Sequence, residues 1–398
     1  MLRFRGFVKS SSRREKRIRL GEILVSILFE PTILKGMSLA NRFVRSATWE
    51  GMATSDGICT GRLTETMARL AEGGVGLIIT GHAYVSREGQ ASPWQAGIYD
   101  DTTIPGLTRM ADAVHQQGGR IAVQLAHAGG RAATGLSGLN AMGPSVVRKD
   151  GTAICTEMSQ EDIANVVRAF GVAAARAKRC GFDAIQIHAA HGYLLSQFLS
   201  PKSNQRSDHY GGTLANRSRV VLEVLRRARE VVGRDYPVFI KLNSEDFVDG
   251  GFSVEDMLEL AGLLEEAEID AIELSGGSTG SEAKYSSSRP GAVPKGEAYY
   301  RDAAKRFKQK TRVPLILVGG IRSLDVAEHL VAEGTADYIA LSRPLICEPD
   351  LVSRWKSGDT AKSACISDNG CFNPARNGEG LRCTLWERLS KANGTIAK

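Results

Sequence analysis

The chain has 398 residues, 42% of them hydrophobic, and a formal charge of +7. This suffices for one barrel-sized core with extensions, and no apolar run reaches the roughly 20 residues of a membrane span. The charge does not point to nucleic acid: the first twenty residues hold eight basic groups and one acid, and the remainder is balanced. The seven cysteines are an odd number, several of them scattered through the body, which argues for a reducing, cytoplasmic setting.

Residues 1–25 are rich in Arg and Ser and lack apolar periodicity. They are expected to form a disordered basic extension. An organelle transit peptide and a segment for anionic partners are the competing readings. Two short apolar pieces around Lys35-Gly36 then read as a β-hairpin, placed to cover the bottom of a barrel.

From there a short apolar run, a loop and an amphipathic segment alternate. The runs are 43–47, 76–80, 120–125, 184–188, 238–242, 271–275, 315–318 and 338–341. Ser159-Gln-Glu-Asp opens a helix that runs to about Arg179, with Gly181 after its end. Asn216 is expected to cap a second, running to about Val232. Ser253-Val-Glu-Asp starts a third, and 297–310 and 323–333 give two more. Eight strands alternating with helices predict an α/β fold, a (β/α)8 TIM barrel over 26–358 with a Cys-containing C-terminal extension over 359–398. A Rossmann sheet is set aside, because no strand is followed by G-x-G-x-x-G.

In such barrels the chemistry stands at the C-terminal ends of the strands. Strand one ends in Ser46-Ala47-Thr48 and strand two in Thr80-Gly81-His82. Strand three offers Gln124, then His127 and Arg131. Strand four offers His188, His191 and Tyr193, and strand five Lys241 and Asn243. Gly319-Gly320 after strand seven lets backbone N–H groups approach an anion. Ser342-Arg343 after strand eight adds a guanidinium, so these loops read as a phosphate grip. Gln124 and Lys241 suit the edge of a flat heteroaromatic cofactor, where a cation stabilises negative charge gained on reduction. For His188 and His191 a metal pair and a satisfied core pair compete. The metal reading lacks the Glu of H-E-x-x-H and has no Cys close in sequence, so no metal is expected there.

Three longer matches carry a resemblance. They are Leu39-Ala-Asn-Arg-Phe-Val-Arg-Ser-Ala-Thr48, Gln124-Leu-Ala-His-Ala-Gly-Gly-Arg131, and His188-Ala-Ala-His-Gly-Tyr through Ser200-Pro201, followed by Asn204-Gln-Arg-Ser-Asp-His-Tyr-Gly-Gly212. Over roughly 27–358 the chain resembles the Old Yellow Enzyme family of FMN-dependent NADH/NADPH:flavin oxidoreductases. The resemblance implies that Ser46, Ala47, Thr48, Gly81, Gln124 and Lys241 contact the flavin ring. It implies that Gly319, Gly320, Ser342 and Arg343 hold the phosphate. His188 and His191 would bind the substrate oxygen, and Tyr193 would supply a proton to an α,β-unsaturated carbonyl or related compound. NADH or NADPH would be the reductant, and a homo-oligomer without nucleic-acid or membrane partners is expected.

Some positions depart from the family pattern. Lys241 stands where many members carry Arg, and Ser342 where Gly is common. Larger relatives such as 2,4-dienoyl-CoA reductases carry an iron–sulfur motif, C-x2-C-x3-C-x11-C, after the barrel. Here Cys365, Cys371 and Cys383 remain, with Asp368 at the second cysteine position. A cluster normally takes four thiolates, so a cluster-free tail is expected over one held by three Cys and a carboxylate. Two other functions stay in view: an amine-dehydrogenase type that passes electrons outward, and a flavin barrel acting on nucleic acid, which the neutral body opposes.

Overall fold

Alternate residues of a buried strand point to opposite sides, so a short apolar run can face helices outward and the barrel axis inward. The computed structural model describes residues 26–278, 280–290 and 296–392, and each of the eight runs is a strand in it. The expected basic extension over 1–25 lies outside the described residues. In chain order the strands are β1 (Thr32–Leu34), β2 (Met37–Leu39), β3 (Phe43–Arg45), β4 (Leu77–Tyr84), β5 (Ile121–Ala126), β6 (Met142–Gly143), β7 (Val147–Lys149), β8 (Thr152–Glu157), β9 (Ala184–Ala189), β10 (Val238–Asn243), β11 (Ala271–Ser275), β12 (Leu315–Leu317) and β13 (Tyr338–Leu341). β3, β4, β5, β9, β10, β11, β12 and β13 close into a barrel, each parallel to its neighbours.

β1 and β2 form the hairpin. Lys35 and Gly36 both have positive φ, 47° and 76°, as a two-residue turn matched to strand twist requires. Leu34, Met37 and Leu39 pack on Val44, Leu77, Ala122, Ala184 and Phe239, inward residues near the starts of their strands, so the hairpin seals the lower end.

Ser159 and Asp162 form the capping box of helix Gln160–Arg179, whose buried face includes Ile163, Val166, Phe170 and Ala174. The next long helix, Leu214–Val232, is capped by Thr213 and not by Asn216. The Thr213 side chain accepts from the Asn216 backbone N–H, so Asn216 sits one turn inside. A second capping box, Ser253 with Asp256, opens Val254–Glu266. The segment expected over 297–310 becomes helical only from Arg301, because Tyr299 and Tyr300 still belong to a turn.

Two features bear on the site. β6, β7 and β8 form a small separate sheet in the excursion after β5, a stretch that reads as a loop in the sequence. In β4 the register shifts between Ile79 and His82. A β-bulge there inserts one extra residue and exchanges the faces of the residues beyond it. Ile79 faces the lower core; past the bulge it is His82, and not Gly81, that stands beside Gln124.

Candidate active site

The C-terminal ends of the barrel strands surround a cavity of about 410 Å³. Every residue that the resemblance assigns to the site lines it except Gly81, while Thr80, His127 and Asn243, also offered by the strand ends, do not. Gly81 donates its N–H to Glu50 Oε1 at 2.9 Å. A Cβ there would stand 2.2 Å from the same carboxylate. The bulge thus turns Gly81 toward Glu50 and gives its place on the wall to His82.

The floor is a buried polar network. Glu273, fully buried on β11, accepts from Lys241 Nζ (2.9 Å), Ser46 Oγ (2.6 Å) and Gln186 Nε2 (2.8 Å). Lys241 Nζ also donates to Ser46 Oγ at 2.8 Å, and Gln124 Nε2 to Gln186 Oε1 at 2.7 Å. Lys241 therefore reaches the cavity as half of an ion pair. Register sets it directly beside both Glu273 and His188. Sequence reasoning misses Glu273 and Gln186. The available signal is a polar residue at an inward position of an apolar strand, as in Ile-Glu-Leu and Ile-Gln-Ile.

Above the floor stand three imidazoles and a phenol. His188 and His191 lie with ring centroids 5.3 Å apart, and His188 and Tyr193 4.9 Å apart. Desolvation by burial, helped by neighbouring cationic groups, holds both histidines well below the usual imidazole pKa, so they stay neutral. His191 Nε2 is 2.8 Å from Ser275 Oγ, while His188 Nδ1 is buried without a partner. His191 and Gly192 both adopt positive φ, 62° and 73°, in the turn that brings Tyr193 back over the wall. A non-glycine residue in that region is strained and clusters at functional sites. Burial raises the Tyr193 pKa, so the phenol keeps its proton. The Arg131 guanidinium lies 5.1 Å from the Tyr193 ring centre and donates to the His191 carbonyl at 2.8 Å.

At the other end Gly319 (φ 134°) and Gly320 (φ 70°) line the cavity together with Ser342 and Arg343. Thr48 Oγ1 and Ser342 Oγ are 2.7 Å apart. Arg343 Nη1 donates to Arg289 O (2.7 Å), Ser367 O (3.1 Å) and Asn369 Oδ1 (2.7 Å), which ties the C-terminal segment to this wall. A flat cofactor with a phosphate suits this arrangement. It offers glycines at positive φ beside a guanidinium at one end, and an amide, an ion pair and an unpartnered imidazole nitrogen at the other.

A second cluster lies behind the Arg343 end of the cavity. Cys347, Cys365, Cys371 and Cys383 line one small pocket. Asp368 lines the same pocket, accepting from the Gly370 N–H at 3.1 Å and pairing with Arg388, and Cys347, from just after β13, joins the three tail cysteines there. Among the described residues no group of three or more His, Cys, Asp or Glu is set at the spacing of a bound metal ion.

With this geometry in hand, comparison with known proteins decides the family. The model of the NADH:flavin oxidoreductase / NADH oxidase family matches residues 27–361. The chain belongs to that family. It is 36% identical over 369 residues to an NADH oxidase of Thermoanaerobacter brockii, covering 90% of this chain and 55% of the oxidase. The chain thus spans about half the length of that relative. An NADPH dehydrogenase of Halalkalibacterium halodurans is 34% identical over 326 residues, 81% of this chain and 91% of the dehydrogenase. Among solved structures, morphinone reductase in complex with tetrahydroNAD superposes with a TM-score of 0.71 at 28% identity, covering 86% of this chain and 93% of the reductase. An Old Yellow Enzyme homologue from Zymomonas mobilis shares the barrel fold, with a TM-score of 0.71 at 24% identity. Among the described residues no helix is long and apolar enough to cross a membrane.

Proposed function

We propose that the chain is an FMN-dependent oxidoreductase that takes electrons from NADH or NADPH and reduces the activated C=C bond of an α,β-unsaturated carbonyl or related compound. The observation that carries this is the convergence of two neutral buried imidazoles and a protonated phenol on one stretch of cavity wall. FMN held along Ser46, Ala47, Thr48, Gln124 and Lys241, with its phosphate at Gly319, Gly320, Ser342 and Arg343, would supply hydride to the substrate β-carbon. His188 and His191 bind the carbonyl oxygen, and their N–H groups oppose the negative charge that grows there. His188 Nδ1 is the buried atom still in need of a partner. Tyr193 donates its proton to the α-carbon as a general acid. A homologue solved with tetrahydroNAD supports the nicotinamide donor.

A second reading, a dehydrogenase of the amine-dehydrogenase type that passes electrons outward, is favoured by one observation, the four cysteines around a single pocket. One experiment separates the two. Purified protein should show a flavin spectrum that NADH or NADPH bleaches anaerobically and 2-cyclohexenone restores. Tyr193→Phe should bleach normally and reoxidise with the enone about 100-fold or more slowly. A protein without flavin absorbance would sink both readings. Bound iron with added broad absorbance, and no enone turnover, would transfer the case to the second.

A further inference from the structure

His82 lines the cavity beside Tyr193, and the enone reduction proposed for this site gives it no task. Its surroundings define its hydrogens. Gln95 is 1% exposed. The Gln95 Oε1 accepts from the Ala91 N–H at 2.7 Å, and Nε2 donates to the His82 carbonyl at 3.0 Å. Both ends of the amide are therefore pinned, with the nitrogen end toward the histidine. That same Nε2 lies 2.7 Å from His82 Nδ1. An N–H facing Nδ1 requires Nδ1 to carry no hydrogen, and a neutral imidazole then carries its hydrogen on Nε2. Burial holds the His82 pKa down to about 4, so the ring is neutral at ordinary pH.

His82 Nε2 is 3.2 Å from Tyr193 Oη. Nε2 is the donor in this tautomer, so the phenol oxygen accepts. The single hydrogen of Tyr193 must then point elsewhere. The other groups facing the phenol ring are His188, 4.9 Å away between centroids, and the Arg131 guanidinium, 5.1 Å from its centre. We infer that His82, oriented by Gln95, is a positioning residue that turns the Tyr193 hydrogen into the cavity and stabilises the tyrosinate left after proton transfer.

This inference rests on the reading of Tyr193 as the proton donor. As the β-carbon gains its hydride, the former π pair at the α-carbon takes the Tyr193 proton. One O–H bond breaks, one C–H bond forms, and a negative charge remains on Tyr193 Oη. The hydrogen bond from His82 then ends on an anion, where such bonds are roughly twice as strong. Water restores the tyrosine proton before the next cycle.

The test uses the flavin-loaded enzyme, reduced anaerobically and reoxidised by 2-cyclohexenone in short mixing experiments between pH 6 and 12. His82→Phe keeps a flat ring and removes the donor. Reoxidation should slow by about 10-fold or more. Its alkaline limb, where the tyrosine loses its proton, should move up by about one pH unit, the size expected for one lost hydrogen bond to the phenolate. A merely structural role would lower the rate without raising that limb. His82→Gln, which can still present an N–H, should recover most of the rate. Gln95→Glu is the second arm. A carboxylate beside Nδ1 draws the hydrogen there, makes Nε2 an acceptor and claims the Tyr193 proton, so it should also slow reoxidation with the His82 ring intact. If Tyr193→Phe slows the enone step while His82→Phe and Gln95→Glu leave rate and limb unchanged, the role of His82 is wrong and that of Tyr193 stands. If Tyr193→Phe has no effect either, both fall.

Discussion

In the lower layer of the barrel the inward residues are Val44, Leu77, Ala122, Ala184, Phe239 and Ala271, closed from below by Leu34, Met37 and Leu39. Two residues further along the same strands the inward set becomes Ser46, Gln124, Gln186, Lys241 and Glu273, joined by hydrogen bonds of 2.6–2.9 Å. Both layers use the same two-residue alternation. The lower layer stabilises by removing carbon from water, which each residue does almost independently of its neighbours. The upper layer stabilises only as a completed set, because a buried charge that loses its partner keeps its desolvation cost. The difference explains how one barrel can carry chemistry at one end without losing its fold.

The sharpest way to break that contrast is Glu273→Leu. It leaves the Lys241 ammonium, 2% exposed, without its carboxylate and strands Gln186 Nε2. A loss of about 3–5 kcal/mol is expected, read as a lower thermal midpoint together with weaker flavin retention. The double variant Lys241→Met with Glu273→Leu removes both charges and should recover most of the stability without recovering the flavin. If the double variant is as unstable as the single one, the upper layer is not held by pairing and the contrast fails. A smaller effect is expected below. Leu34→Ala opens a cavity under the barrel and should cost about 2–3 kcal/mol, with flavin content and enone turnover unchanged. Lost flavin in that variant would show that the two layers are coupled.

The parts of this contrast that are legible in the sequence are those carried by local pattern. Eight apolar runs bounded by glycine and loops read as buried parallel strands, and all eight are present. Tyr193, His188 and His191 stand out because they fall together at the C-terminal end of one strand. The small sheet of β6–β8 does not, since β7 is exposed throughout and β8 nearly so, leaving no apolar alternation to read. His82 is hidden by the bulge in β4. Without it, residues 79 and 81 would share a face, and the inward residue would be Gly81. Glu273 and Gln186 gain their meaning only when barrel closure brings β9, β10 and β11 into register. Cys347 is separated from the tail cysteines by a stretch of chain whose return to the barrel mouth, through Trp386 Nε1 to the Cys347 carbonyl at 3.0 Å, is a tertiary event.

Acid sharpens the same comparison with the smallest expected effect. His82, His188 and His191 are buried and neutral, with pKa values pushed down by desolvation, to about 4 for His82 and well below 6.5 for the other two. In the unfolded chain each titrates near 6.5. As pH falls below about 6.5 the unfolded state takes up protons that the folded state refuses, so stability falls with pH; above about pH 7 these groups contribute no slope. The lower layer takes up no proton in this window. Replacing one of the three by a neutral residue should therefore flatten the acid side. At pH 5, His188→Asn should lose measurably less stability relative to pH 7.5 than the parent does. Thermal midpoints of both proteins at the two pH values give the measurement. Equal losses in variant and parent would mean that His188 accepts a proton in the folded protein, and the neutral imidazole wall on which the substrate-binding role depends would be wrong.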